Sequence, residues 1–316
     1  MKSSVSTLPS QICLPGVESL VKPNVPLASL TSFRVGGPAE WYVAPRRVED
    51  LPVYLKWATT QGLSSTLLGA GSNLLISDRG LSGLVISTRR FRHTDFDPET
   101  GRVTVAAGKP LPQLAWQLAN LGWSGLEWAV GIPGTVGGAV VMNAGAHGGC
   151  VADRLVSAEV INLDGSTRNF AVQELAYAYR TSLLQGKGLL VTQATFQLQP
   201  GFDPAKINTI TQAHLDQRRS SQPYHLPSCG SVFRNPSQQY KAGWLIEEAG
   251  LKGYRIGMAE VAQRHANFIL NCGSATAADI FHLIRYVQQV VGDRWSLHLE
   301  PEVKILGDFQ AAAVVC

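Results

Sequence analysis

Apolar and polar positions change period several times along the chain, and each change marks an element. After the acidic pair Glu49-Asp50, the residues Leu51, Leu55 and Ala58 recur on one helical face and Gly62 follows, so residues 48–61 are predicted as an amphipathic helix. Pro52 falls in its first turn, where proline is tolerated. Residues 65–68 and 74–76 read as short strands on either side of the turn Gly69-Ala70-Gly71-Ser72-Asn73. Val103, Val105 and Ala107 alternate with Thr104 and Ala106 as a strand, and Leu111, Leu114, Leu118 and Leu121 form a helical stripe that stops at Gly122. Residues 158–163 and 189–198 are predicted strands, the first followed by a turn at Asp164-Gly165 and the second preceded by one at Gly186-Lys187-Gly188. Asp203 is the expected N-cap of a helix through Ile207, Ile210 and His214 to about Arg219, with a proline-bounded connector over 220–227. Beyond it come a helix from about Ala242, a strand over 268–271, a helix with Ile280, Leu283, Ile284 and Val287 on one face, and a last strand near 303–306.

These elements fill a chain of 316 residues, 45% hydrophobic, which is enough for two or three cores in a soluble globular protein. The net charge of +4 is spread thinly, with Arg89, Arg90 and Arg92, then Arg218 and Arg219, as its tight basic groups. That excludes a nucleic-acid stripe. No apolar run approaches the ~20 residues that cross a bilayer. Cys13, Cys150, Cys229, Cys272 and Cys316 are odd in number and widely spaced, with no CxxC pair or Cys/His ligand spacing. The expectation is reduced thiols, no metal, and a cytoplasmic monomer. Residues 1–15 are polar and proline-punctuated, and are expected to form a loose tail rather than a signal peptide.

Two glycine-rich segments change the picture from fold to chemistry. Residues 131–149 read GIPGTVGGAVVMNAGAHGG, with seven glycines and no Lys, Arg, Asp or Glu. Such a run offers bare amides, and glycine tolerates the backbone angles that turn successive N–H groups toward one anion. The other segment, residues 69–74, has leucine at the sixth position of a would-be GxGxxG, and no helix is expected to start there. It is better read as a turn between strands whose amides, with the Ser72 and Asn73 side chains, hold a pyrophosphate. Taken alone, either segment is compatible with ordinary tight turns.

The motifs TSFRVGGPAEW (31–41), GAGSNLLISD (69–78) and GIPGTVGGAVVMNAGAHG (131–148) together resemble the FAD domain of the MurB family, the UDP-N-acetylenolpyruvoylglucosamine reductases. AYRTS (178–182), PSCGSVFRNP (227–236), AGWLIEEAGLKG (242–253), HANFILN (265–271) and LEPEVKILG (299–307) resemble the same family in the same order. The resemblance implies an α+β fold: a two-subdomain FAD-binding region of the vanillyl-alcohol-oxidase (PCMH) type followed by a C-terminal α+β substrate domain. The corresponding division is a flexible tail over 1–26, the FAD region over 27–200 with subdomains 27–88 and 89–200, a connecting helix and linker over 201–222, the substrate domain over 223–310 and a tail over 311–316. Longer members of the family carry an inserted tyrosine-bearing loop and a further folded insertion. Between Phe196 and Pro227 there is room for neither, so the shorter, second type is expected.

What the resemblance implies about activity is reduction of an enolpyruvyl ether on UDP-N-acetylglucosamine to the lactyl ether of UDP-N-acetylmuramate. FAD is the cofactor and NADPH the reductant, in peptidoglycan precursor synthesis and hence in cell-wall biogenesis, cell shape and division. FAD contacts are expected from Gly69, Ala70, Gly71, Ser72, Asn73 and Leu74, and from Gly131, Ile132, Pro133, Gly134, Thr135, Gly137, Gly138, Asn143 and Gly145. By motif matching, Arg180 pairs with the substrate carboxylate, Glu302 donates a hydrogen bond as a neutral acid, and Ser231 delivers a proton to carbon. Glu300, two residues earlier on the same face of a strand, is the internal rival of Glu302, and the family motif aligns Glu302 as catalytic. Asn235, Lys241 and Asn267 are candidates for UDP. Rival readings are a flavin-dependent alcohol or lactone oxidase on the same scaffold, and a catalytically silent nucleotide-binding protein.

Overall fold

The computed structural model describes residues 11–309, so the expected C-terminal tail over 311–316, Cys316 and the first ten residues of the expected N-terminal tail lie outside the described residues. A four-stranded sheet runs, in spatial order, Lys22–Pro26, Pro38–Val43, Leu81–Ser87 and Ser65–Leu68. Its first pairing is antiparallel and the other two are parallel. Leu81–Ser87 is buried along almost its whole length, as a central parallel strand covered on both faces must be. The helix Leu51–Thr60 packs Leu51, Tyr54, Leu55 and Ala58 into this core.

Residues 11–26 correct the expectation of a flexible tail that extends to 26. Ile12 bridges Val21, Tyr54 donates from its hydroxyl to the Ser19 carbonyl at 2.7 Å, and Val21 is fully buried beside Trp41 and Leu84. The strand Lys22–Pro26 carries Pro23 and Pro26, which disguise it in the sequence but suit the edge position it occupies.

The second sheet is antiparallel, in the order Thr167–Ala171, Leu155–Ile161, Leu190–Gln197, Arg102–Ala106, Thr94–Asp97. The helix Leu111–Asn120 lays its leucine stripe on the same core, with Leu111, Leu114 and Leu118 buried. Helix Pro204–Ser221 follows, capped by Asp203, whose carboxylate accepts from the Ala205 amide at 2.9 Å. The last core gathers the helix Ala242–Glu248, a three-stranded antiparallel sheet of Arg255–Ile256, Ala259–Val261 and Ile269–Asn271, and the helix Ala277–Trp295.

The expected final strand does not join that sheet. Lys304–Leu306 pairs in parallel with Leu74–Ile76, the strand directly after the first glycine loop. Around this pairing the Asp78 carboxylate accepts from the Ala277 and Ala278 amides at 2.9 Å each, capping the last long helix, and Asn271 donates to the Phe33 carbonyl at 2.9 Å. Phe33 and Leu75, both fully buried, belong to the same apolar cluster as Val232, Ile280 and Leu299. The C-terminal core is therefore completed by N-terminal residues.

Leu75→Ala removes a fully buried side chain from this seam and is expected to lower stability by about 2–5 kcal/mol, as such truncations generally do. Urea unfolding followed by tryptophan fluorescence checks it, and an unshifted midpoint contradicts it.

Candidate active site

Where the three regions meet, a cleft of ≈ 480 Å³ opens, and its wall includes Arg180, Ser231, Glu302, Asn235, Lys241 and Asn267. The first three arrive from separate segments. Arg180 sits in a turn closed by mutual Ala178 and Thr181 backbone hydrogen bonds of 3.2 Å, with its own backbone in the left-handed region at φ +57°. Such a conformation costs free energy in a non-glycine residue and persists only where its surroundings over-determine it. They do so here. Ser182 donates to the Val141 carbonyl at 2.6 Å, Tyr177 to the Val140 carbonyl at 2.9 Å, and Asn143 to the Ala178 carbonyl at 3.1 Å. The Arg180 carbonyl accepts from both Gln185 and Arg234 at 3.0 Å.

The Arg180 guanidinium donates to the Gly145 carbonyl at 3.1 Å and places Nε 2.9 Å from Glu302 Oε1. Nε is nevertheless left without a well-aligned acceptor, so the contact is a close charge pair rather than a bidentate bond. Burial pushes the Glu302 carboxyl above the usual carboxylate range, and it outweighs the opposing charges of Arg180, Arg234 and Lys304. Glu300 is separated from this pocket: its side chain is 62% exposed against 15% for Glu302. The segment is irregular between Leu299 and Val303, so the two-residue spacing does not put both carboxylates on one face.

Ser231 follows Gly230, whose φ of +83° turns the chain into the cleft. The next residue, Val232, donates its amide to the Asn267 carbonyl at 2.8 Å and accepts from the Glu302 amide at 2.7 Å. The serine segment and the carboxylate segment are thus adjacent extended strips, joined again by the Phe233–Pro301 bridge. Ser231 Oγ itself has no hydrogen-bond partner among the described residues.

The two glycine segments face each other. Ser72 Oγ donates to the Pro133 carbonyl at 3.0 Å, and a Cβ built on Gly69 would stand 2.8 Å from Thr135 Oγ1. Gly71, at φ +67°, has no room for a Cβ against the Leu30 carbonyl. The backbone amides of Ala70, Gly71, Ser72, Asn73 and Gly134 take no acceptor among the described residues, while Arg89 binds the carbonyls of Gly69, Ala70 and Leu30 from behind. Donors forward and carbonyls tied back is the arrangement an anion requires.

Two side chains in this region carry bonds within the protein that the sequence does not suggest. Asn73 donates to the Glu302 carbonyl at 3.0 Å, and Asn143 holds the Ala178 carbonyl and the Ala152 amide. The long glycine run is also not all turn: Val136–Met142 is a helix capped by Thr135, and of the seven glycines only Gly134 and Gly148 have positive φ. Gly137 is there for packing, since a Cβ would come within 2.8 Å of the Ala107 methyl.

Among the residues considered for UDP, Asn267 is buried with both amide groups on the Phe233 backbone, at 2.9 and 2.8 Å, which makes it a pin for the Ser231 strip. Asn235 accepts from the Ala242 amide at 3.0 Å and leaves its NH₂ uncommitted. Lys241 forms no ion pair among the described residues. Sequence alone assigned no site role to Arg234, Arg264, Tyr179 or Trp244, although Tyr179, Arg234 and Trp244 lie inside the motifs AYRTS, PSCGSVFRNP and AGWLIEEAGLKG. Tyr179, Trp244 and Arg264 line the cleft, and Trp244 is 47% exposed there. Among the described residues no cluster of three or more His, Cys, Asp or Glu stands ready for a metal, and no helix is long and apolar enough to cross a membrane.

Residues 39–171 match the family model described as an FAD binding domain, and residues 222–306 match the model of the UDP-N-acetylenolpyruvoylglucosamine reductase C-terminal domain. The chain is 62% identical over 301 residues to the UDP-N-acetylenolpyruvoylglucosamine reductase of Nostoc sp., covering 95% of this chain and 91% of that one. It is 57% identical over 301 residues to the reductase of the same name from Synechocystis sp., covering 94% of each. Among solved structures it is similar to the UDP-N-acetylenolpyruvylglucosamine reductase (MurB) of Thermus caldophilus, at 37% identity and a TM-score of 0.79, covering 92% of this chain and all of that one.

A carboxyl whose folded-state pKa is raised costs stability once it is charged. For Glu302 that cost is absent below the ordinary value of 4.5, grows as pH rises from there and levels off above the raised pKa. Glu302→Gln carries no such cost. Its stability relative to the parent is therefore expected to increase between pH 4.5 and 8, and urea midpoints that stay parallel across that range contradict the raised pKa.

Proposed function

The chain belongs to the MurB family of UDP-N-acetylenolpyruvoylglucosamine reductases, and we propose the roles that its cleft residues take in the family's reaction. It is an FAD-dependent oxidoreductase that uses NADPH to convert UDP-N-acetyl-3-O-(1-carboxyvinyl)-glucosamine to UDP-N-acetylmuramate in peptidoglycan precursor synthesis. It is of the shorter type, with the helix Pro204–Ser221 as the single regular element between Gln197 and the Ser231 strip. The observation that carries the assignment of roles is the meeting, in one cleft, of a guanidinium, an unpaired hydroxyl and a buried carboxyl with a raised pKa.

The residues present fit FAD. The free amides of Ala70, Gly71, Ser72, Asn73 and Gly134 suit its pyrophosphate, and the close approach of the two loops leaves no Cβ in the way at Gly69 or Gly71. FAD held there would supply the hydride-transfer chemistry between NADPH and the enol ether.

Arg180 receives the substrate carboxylate in its fork, in place of part of its contact with Glu302. That exchange sets a second negative charge beside Glu302 and drives it further toward the neutral acid. Neutral Glu302 donates a hydrogen bond to the carboxylate oxygen on which charge accumulates, while Arg180 balances the rest. Ser231 Oγ delivers its proton to the carbon next to the carboxylate and recovers one from solvent. A hydroxyl is a weak acid, so position rather than acidity makes this transfer effective, and Gly230 together with the Val232 hydrogen bonds fixes that position.

Asn235 and Lys241, which line the same cleft, supply the amide donor and the cation for the UDP portion. Asn267 spends one amide N–H and one oxygen lone pair on the Phe233 backbone and keeps one N–H for the nucleotide. The division into an FAD region over 27–200 and a substrate domain over 223–310 serves this arrangement, one holding the redox group and the other the nucleotide. The same reading has the enzyme working as a cytoplasmic monomer, in keeping with free Cys13, Cys150, Cys229 and Cys272.

Purified protein is expected to be yellow. In stopped flow, Ser231→Ala is expected to bleach with NADPH at the parent rate and to be reoxidised by the enolpyruvyl nucleotide at least ~100-fold more slowly, as for loss of a general acid. Equal damage to both half-reactions reassigns Ser231 to folding or cofactor binding.

A further inference from the structure

We propose that Arg234 is a positioning residue that clamps the three catalytic segments together, through the Arg180 carbonyl and the Glu300 backbone and carboxylate, so that Arg180 meets the substrate carboxylate correctly. The inference rests on the roles proposed above for Arg180, Ser231 and Glu302, none of which Arg234 replaces.

Arg234 stands three residues after Ser231 on the same strip. Its amide donates to the Glu300 carbonyl at 2.9 Å, its Nη1 lies 3.2 Å from the Glu300 carboxylate, and its Nη2 donates to the Arg180 carbonyl at 3.0 Å. The side chain is only 17% exposed. One planar cation therefore touches the segment of each proposed catalytic group without lining the cleft itself. The contact with the Arg180 carbonyl falls at a left-handed residue, where a turn without outside support would relax toward commoner backbone angles. A lysine supplies the charge but not a rigid fork that reaches two acceptors in different directions.

A second consequence separates this role from plain structural support. The charged or titratable groups acting on Glu302 are Arg180 from its turn, Arg234 and the Cys229 thiol from the serine strip, and Lys304 from its own strand. Arg234 favours the Glu302 carboxylate. Removing that positive charge raises the Glu302 pKa, which moves the alkaline limb of substrate reduction to higher pH.

The test compares holoenzyme with Arg234→Met and Arg234→Lys. For Arg234→Met, flavin reduction by NADPH is expected within twofold of the parent and reoxidation by the enolpyruvyl nucleotide slower by about 10–100-fold, as for a small misplacement of a binding group. Its alkaline limb shifts upward, and Arg234→Lys returns the limb and part of the rate. By calorimetry, Arg234→Met weakens binding of the enolpyruvyl nucleotide about tenfold, in the range of one lost charge-assisted contact, and leaves UDP unchanged. Unchanged reoxidation, or equal weakening of both ligands with the limb in place, overturns the clamp. If Arg234→Met does not fold, Glu300→Gln removes the third arm at an exposed carboxylate, and reoxidation several-fold slower supports the clamp where the parent rate refutes it. A parent enzyme that leaves the enolpyruvyl nucleotide unreduced removes the functional reading and this proposal with it. A parent that reduces it beside an unaffected Arg234→Met removes the clamp alone.

Discussion

The parallel pairing of Leu74–Ile76 with Lys304–Leu306 is the constraint on which the site depends. One partner strand is the direct continuation of the loop with free amides, and the other begins two residues after Glu302. The Lys304 amide donates to the Asn73 carbonyl at 3.0 Å while the Asn73 side chain returns a hydrogen bond to the Glu302 carbonyl. Cofactor loop and acid are thereby one mechanical unit, although 229 residues separate them. Leu75 and Phe33 extend the same seam into the C-terminal core, which lacks part of its packing without them. A bond network of this kind converts two weakly specified loops into one rigid site, the condition under which placement contributes to rate.

Electrostatics at the centre of the cleft pull in two directions. Arg180 at 2.9 Å, helped by Arg234 and Lys304, favours a charged Glu302, and burial favours a neutral one. Burial prevails and holds the carboxyl above its usual range. Under the roles proposed above, an incoming carboxylate competes for Arg180 and adds a like charge, which favours the neutral form of Glu302 further. The turn at Arg180, left-handed at its central residue, is held from outside by Asn143, Gln185 and Arg234, which fixes where the guanidinium starts from.

Among the described residues nine of the sixteen strands, Pro38–Val43, Leu81–Ser87, Thr94–Asp97 and Thr167–Ala171 among them, went unnamed in the sequence, whereas five of the six α-helices, including the stripe of Leu111–Asn120 and the Asp203-capped helix, were legible from periodicity because each is set by local sequence. The edge strand Lys22–Pro26 was not, since its two prolines imitate a tail, and neither was the helix Val136–Met142, hidden by Gly137 and Gly138. Arg180, Ser231 and Glu302 came from ordered motifs rather than from residue type. The pairing of residues 74–76 with 304–306 left no local trace, since three-residue strands carry no partner information. For the same reason Asn73 and Asn143 looked like ligand side chains: an amide in a glycine-rich loop reads identically whether it faces a phosphate or a carbonyl across a seam.

Asn73→Ala tests that seam most directly, because it deletes the side-chain bond to the Glu302 carbonyl and leaves every loop amide in place. With the variant reconstituted with FAD, both FAD affinity and single-turnover reduction of the enolpyruvyl nucleotide are measured. Cofactor affinity within a few-fold of the parent beside clearly slowed substrate reduction is the predicted result. Lost FAD affinity with an undiminished single-turnover rate contradicts it, and returns Asn73 to the cofactor alone.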